Sequence, residues 1–237
     1  MLNSLLKLLP ASCVVCGKGC STEYSLCYYC SETLPWISHG CRRCGCEQPT
    51  ASLIDGSCGR CLLNPPPLTL CSSLFSYGSP VNKLITSFKF NGRFDVGYAL
   101  SSILAYRMKN HYAEKEQPQL LIPIPLHSNR LRTRGFNQAI EICRVVSARC
   151  GVPMSISSVS KVRDTPPQSQ LSSARSRKSN LRHAFAIEDN DTLQDLDFVI
   201  LIDDVITTMT TMVEVAKLLK YRGISRIDAW SLARANR

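Results

Sequence analysis

The stretch Phe198–Met212, FVILIDDVITTMTTM, constrains the fold of this chain more than any other, because fifteen residues combine three chemical devices. The uninterrupted apolar run Phe198–Ile202 reads as a strand buried on both faces, the pattern of a parallel sheet covered by helices. Asp203 and Asp204 stand where that strand is expected to end. Thr207, Thr208, Thr210 and Thr211 then lead into a helix carrying Val213, Val215, Ala216, Leu218 and Leu219, which Gly223 is expected to stop. Ligands of open α/β sheets bind at the carboxyl ends of strands, and a helix N-terminus with nearby hydroxyls holds phosphate. Carboxylates do not contact phosphate themselves, so the two acids fit sugar hydroxyls or a divalent cation. Together these devices point to a phosphorylated ribose.

These residues resemble the signature of the type I phosphoribosyltransferases, whose substrate is phosphoribosyl pyrophosphate (PRPP). The resemblance implies that Asp203 and Asp204 meet the ribose hydroxyls and Mg²⁺, and that Thr207, Thr208 and Thr211 surround the 5′-phosphate. One position departs, since that family usually has Gly where this chain has Met209. Glycine permits a backbone conformation that methionine restricts.

Thirteen cysteines and no export signal point to metal rather than disulfides. Four CxxC pairs fall within fifty residues: Cys13/Cys16, Cys27/Cys30, Cys41/Cys44 and Cys58/Cys61. Two such turns complete a tetrahedral four-thiolate zinc site, so eight ligands imply two zinc ions. Pairing of neighbours puts Cys13, Cys16, Cys27 and Cys30 on one ion and Cys41, Cys44, Cys58 and Cys61 on the other. An interleaved pairing uses the same eight residues. Either way the sites are closed and structural, with metal supplying the folding energy of a segment too small for its own core. Trp36 is expected between the two ribbons, and Cys71, Cys143 and Cys150 read as buried thiols. The stiff run Asn64-Pro65-Pro66-Pro67 marks a border between a module over 1–64 and a domain over 65–237.

Along that second domain, Leu74–Tyr77 reads as a strand, while Val81, Leu84, Ile85 and Phe88, then Val96, Leu100, Ile103, Leu104 and Met108, follow helical spacing across an Asn91-Gly92 turn. Lys89 and Arg93 lie beside that turn and suit either a phosphate or solvent. Leu120–Pro125 is a second strand whose end is dense in His127, Arg130, Arg132 and Arg134, with Gly135 before a helix over Ala139–Cys150. His127 has no carboxylate neighbour in sequence, so a structural or phosphate-contacting role fits it better than proton transfer. Ile224–Leu232 should add a last strand beside the signature strand through a right-handed crossover. The opening MLNSLLKLLPASC is too short for a signal core and is broken by Lys7, so an amphipathic helix docked on the body is expected.

PIPLHSNRLRTRGFNQA, RDTPPQSQLSSARSRKSNLR and the N-terminal CxxC ribbons together resemble the ComF/GntX family over about residues 13 to 235. The fold implied is α/β, a mostly parallel sheet of the type I phosphoribosyltransferase fold with helices on both faces, preceded by a small Cys-rich zinc-ribbon module. The resemblance places Arg132 and Arg134 on the pyrophosphate side and makes Arg163–Arg182 a loop closing over it. In that loop Arg163, Gln168, Arg175, Lys178 and Arg182 suit pyrophosphate or a single nucleic-acid strand. It also implies a role in natural transformation or DNA utilisation, with single-stranded DNA and DNA-uptake or helicase proteins as partners. The net charge of +10 agrees with a polyanionic partner. No apolar run approaches the roughly 20 residues of a membrane helix, and a cytoplasmic location is expected. Transfer of phosphoribose to a nitrogen nucleophile and PRPP sensing without turnover are the alternative readings of the pocket.

Overall fold

The computed structural model describes residues 12–20, 24–164, 184–188 and 191–235. The expected N-terminal amphipathic helix, and Gln168, Arg175, Lys178 and Arg182, lie outside the described residues.

The cysteine-rich segment is built twice from one plan. Its first unit turns at Cys13–Gly17, where Gly17 N–H donates to Cys13 C=O, and then starts helix α1, Tyr28–Thr33, directly after Cys27. In the second unit Gly45 N–H donates to Cys41 C=O, the hairpin β1 (Leu53–Ile54) and β2 (Ser57–Cys58) follows, and α2, Gly59–Leu63, starts after Cys58. Both turns close on a left-handed glycine, at φ 75° and 68°.

From Leu68 the chain enters a four-stranded sheet. β3 (Leu70–Ser76) leads to helices α3 (Val81–Asn91) and α4 (Phe94–Tyr112), then β4 (Leu120–Pro123), a short helix α5 (Ser128–Arg134) and α6 (Gln138–Cys150). A two-stranded antiparallel ribbon of β5 (Val159–Lys161) and β6 (Phe185–Ile187) stands beside it. β7 (Phe198–Ile206), α7 (Thr210–Tyr221) and β8 (Arg226–Arg234) complete the body. Strand order is β3-β8-β7-β4 with every pairing parallel. The expected strand beside the signature strand is therefore present, joined to it through α7.

Alternation along β7 explains the layers. Phe198, Ile200 and Ile202 pack with α3, α4 and α6, whereas Val199 and Leu201 face α7 through Val215, Ala216 and Leu219. Phe198–Ile202 are all fully buried, so this first part of the strand has no polar face, as a parallel strand covered on both sides requires. Gln119 holds the start of this strand with its side-chain oxygen, which accepts from Asp197 and Phe198 N–H.

Trp36 donates from its indole N–H to Ser31 C=O of the first unit at 2.6 Å and packs on Phe75 with ring centroids 4.4 Å apart, and its backbone bridges β3, with Ile37 N–H donating to Leu74 C=O and Ser76 N–H to Pro35 C=O. This strip covers the outer edge of β3, which otherwise exposes unpaired backbone groups. The first four-cysteine unit also shares the body's apolar core, through Cys13, Leu26, Cys30 and Leu34.

Candidate functional site

Each neighbouring set of four cysteines comes together: the ligand sulfurs of Cys13, Cys16, Cys27 and Cys30, and those of Cys41, Cys44, Cys58 and Cys61, lie within 4.8 Å of one another. The interleaved pairing is not the one formed. Cys16 and Cys27 sulfurs are 3.8 Å apart and Cys44 and Cys58 sulfurs 3.9 Å. Metal–sulfur bonds of about 2.3 Å in a tetrahedron set sulfurs about 3.8 Å apart, so both sets fit structural zinc. Cys58 N–H also donates to Cys41 Sγ at 3.3 Å, the kind of bond that stabilises a ligating thiolate. Cys20, Cys46 and His39 belong to neither set.

The second site is a cavity of about 670 Å³ at the carboxyl ends of β4 and β7. The expectation that the acids end the strand is corrected, because β7 continues through them to Ile206, with Asp203 paired to Ser231 and Ile206 to Arg234 of β8. On the other side, the β4 ladder stops at Pro123 and Ile202. Beyond that point β4 diverges, and the space left between Ile124–Leu126 and the continuing β7 is the cavity.

The acids differ in surroundings. Asp204 is 7 % exposed, and its carboxylate lies 2.8 Å from Lys89 Nζ, delivered from the last turn of α3. Burial, then the Asp204 charge, push the Asp203 carboxyl well above the ordinary carboxylate range, against the opposing pull of Lys89. Lys161 of β5 lines the same cavity, and burial followed by Arg130 holds its amine down to about 8. Of the two cations read beside the Asn91-Gly92 turn, Lys89 therefore reaches the site, while Arg93 pairs with Asp95 at the surface.

Thr207, Thr208, Thr210 and Thr211 line the cavity below the N-terminus of α7, and Thr208 and Thr210 hydroxyls are 2.9 Å apart. Met209 caps that helix at φ 65°, ψ −12°, the left-handed conformation that glycine would take without strain. Such a conformation costs a side-chain-bearing residue roughly 1–3 kcal/mol. The Met209 side chain offsets this by packing into the core between Cys71 and the second four-cysteine cluster, with Cys71 Sγ donating to its sulfur at 3.7 Å.

The loop read after Pro125 is instead the helix α5, whose 3.6-residue period decides which arginines reach the cavity. Arg130 and Arg134 share one face and line it; Arg132 is exposed and does not. Arg134 donates to Gln138 Oε1 at 2.6 Å and lies 5.0 Å from the Phe90 ring centroid. Gln138 is 2 % exposed and lines the cavity, yet its Nε2 donor has no hydrogen-bond partner among the described residues. A buried donor without an acceptor is costly, and it marks a place where a ligand oxygen would be satisfied. His127 caps α5 by accepting from Asn129 N–H at 3.3 Å, and its ring lies 3.7 Å from Asp164, a carboxylate 37 residues away in sequence. Arg163 is exposed just beyond β5, while Lys161 and Phe185, a cross-strand pair at one end of the β5–β6 ribbon, line the cavity. Sequence reasoning missed Arg130's face, Gln138 and Lys161. Four-residue spacing within a predicted helix would have separated Arg130 and Arg134 from Arg132; nothing local marks Lys161.

Fold and cavity define an α/β protein with a cavity at the carboxyl end of a parallel sheet and a double four-cysteine module. Its relatives include DNA utilization protein YhgH of Salmonella typhimurium, 32% identical over 95% of this chain and 98% of that protein. Competence protein F of Haemophilus influenzae is 32% identical over 94% and 96%, and competence protein ComFC of Streptococcus pneumoniae 25% identical over 68% and 67%. The chain belongs to the family of DNA utilization protein YhgH and competence protein F. No protein-family model matches it. Among solved structures, a hypoxanthine phosphoribosyltransferase of Trypanosoma cruzi is similar over 59% of this chain and 65% of that one, with 14% identity and a TM-score of 0.37. Among the described residues, no helix is long and apolar enough to cross a membrane.

Proposed function

We propose that the cavity binds PRPP or a related phosphoribosyl ligand with Mg²⁺, and that the protein uses this pocket while handling single-stranded DNA taken up for transformation or utilisation. The observation that carries the pocket reading is the juxtaposition of carboxylates, hydroxyls and cations in one cavity. Asp203 and Asp204 would accept from ribose hydroxyls and neutralise Mg²⁺. Thr207, Thr208 and Thr211, with the α7 N-terminus, would hold the 5′-phosphate. Arg130 and Arg134, together with the Gln138 donor, suit the pyrophosphate side better than Arg132 does. Mg²⁺ would supply charge neutralisation of the pyrophosphate; the chain's own residues orient the sugar and exclude water.

The DNA reading rests on the names of the relatives and on the net charge of +10. It carries with it a cytoplasmic location, DNA-uptake or helicase proteins as partners, and residues 1–64 as a zinc module attached to a phosphoribosyltransferase-like domain over 65–237. A second reading is transfer of phosphoribose from bound PRPP to a nitrogen nucleophile; the left-handed backbone at Met209 is compatible with phosphate binding in both readings and does not separate turnover from sensing.

Calorimetric titration of the zinc-loaded chain with PRPP and Mg²⁺ tests the pocket, and pyrophosphate release with candidate bases and ammonia in the same sample separates turnover from sensing. Asp203→Asn with Asp204→Asn should abolish binding. A wild-type protein that binds no PRPP would overturn the pocket reading. Single-strand binding whose affinity does not fall with added salt would overturn the electrostatic basis of the DNA reading.

A further inference from the structure

Arg234, the last residue of β8, is 4 % exposed, and among the described residues no carboxylate pairs with it. Its guanidinium makes four hydrogen bonds to backbone carbonyls. Nε donates to Cys44 C=O at 2.7 Å, and Nη1 donates to Ile206 C=O at 3.0 Å, Thr207 C=O at 2.6 Å and Ala235 C=O at 2.7 Å. One buried cation therefore ties a residue of the second four-cysteine cluster to the point where β7 leaves the sheet and the Thr loop begins.

The consequence follows from peptide geometry. A trans peptide sets C=O and N–H in opposite directions, so holding the Thr207 carbonyl against Arg234 turns the Thr208 N–H away from the guanidinium. The same holds for Ile206 C=O and Thr207 N–H. Backbone donors facing away from the protein interior are what an anion-binding loop requires. A second link runs parallel to the first. Met209, in the left-handed conformation that starts α7, packs on the second cluster, and Cys71 Sγ, which touches Met209, is 3.2 Å from where a Cβ on Gly45 would stand. Gly45 is the turn residue directly after Cys44, so backbone, thiol and thioether form one contiguous contact from cluster to loop. Four thiolates around a divalent zinc carry a net charge of −2, which favours a cation buried beside them.

We propose that Arg234 is a positioning residue, and that Arg234 and Met209 make the conformation of the loop 206–212 depend on assembly of the second four-cysteine cluster. The module is then part of the pocket's construction, and metal occupancy governs ligand affinity from outside the cavity. Only the affinity part rests on the pocket reading above.

Hydrogen–deuterium exchange on the full zinc-loaded chain tests the coupling without any ligand. Arg234→Met and chelator-stripped wild type should each exchange roughly tenfold faster over 206–212 while 198–202 keeps its protection, and Met209→Ala should shift 206–212 in the same direction. Where one of these loses protection at 198–202, the remaining ones decide. Wild-type exchange at 206–212 in every form that keeps 198–202 protected would overturn the coupling. Calorimetry with PRPP and Mg²⁺ forms the second arm, with about a tenfold or larger weakening expected for Arg234→Met. If wild type binds no PRPP, the pocket reading fails and the exchange data alone judge the coupling. If wild type and Arg234→Met bind PRPP equally and exchange equally, the coupling fails and the pocket reading stands.

Discussion

Lys89 Nζ lies 2.8 Å from the Asp204 carboxylate, with the two side chains only 19 % and 10 % exposed. The pair joins the end of α3 to the carboxyl end of β7 across 115 residues of sequence. Breaking a largely buried ion pair from one side leaves an uncompensated charge. Lys89→Met should therefore destabilise the fold by about 2 kcal/mol, less than for a fully dry pair because both groups keep some solvent. Addition of Asp204→Asn to Lys89→Met should recover most of the loss in urea unfolding, since the orphaned charge is then gone.

Asp203 supplies a pH dependence. Its carboxyl is raised to about 8 in the folded protein, by burial first and Asp204 second, so the folded state holds a proton that an unfolded carboxyl has already released. The folded state binds more protons between those two pKa values, and stability from this group declines as pH rises through that window. In the absence of Mg²⁺, thermal unfolding from pH 5 to pH 8 should show a steeper fall in Tm for wild type than for Asp203→Asn. Parallel curves would show that this carboxyl ionises as an ordinary one.

Metal release should be ordered. Cys16 of the first cluster is exposed, whereas Cys41, Cys44, Cys58 and Cys61 are all buried. A chelator should therefore withdraw zinc in two phases, the faster belonging to Cys13, Cys16, Cys27 and Cys30. Release monitored with a colorimetric zinc indicator should lose its fast phase in Cys16→Ser and keep the slow one.

Gly97 on α4 marks a close approach of α4 to Phe88 of α3. A Cβ there would stand 2.5 Å from Phe88 of α3, and Phe88 is 1 % exposed. Overpacking of this kind costs about 1–3 kcal/mol, which outweighs the better helix propensity of alanine. Gly97→Ala should lower the urea midpoint accordingly, and a rise would show that the α3–α4 pair relaxes freely.

Several parts of this molecule are readable without coordinates because their signals are local. The Phe198–Ile202 run, its acids and its threonines declare a buried strand, a turn and a helix start, and the helices through Val81–Phe88, Val96–Met108 and Ala139–Cys150 follow from periodicity. The CxxC spacing likewise announces two four-thiolate sites, since both partners of a pair lie within one turn of chain. Tertiary structure alone decided which pairs meet, how far β7 runs, and which cations face the cavity. Cys44 and Arg234 are 190 residues apart, Lys89 and Asp204 115, and no local pattern encodes such contacts. Met209 shows the division most clearly. The sequence marks it as a departure at a position suited to glycine, yet only the packing of its side chain on Cys71 and the second cluster stabilises the left-handed backbone it adopts.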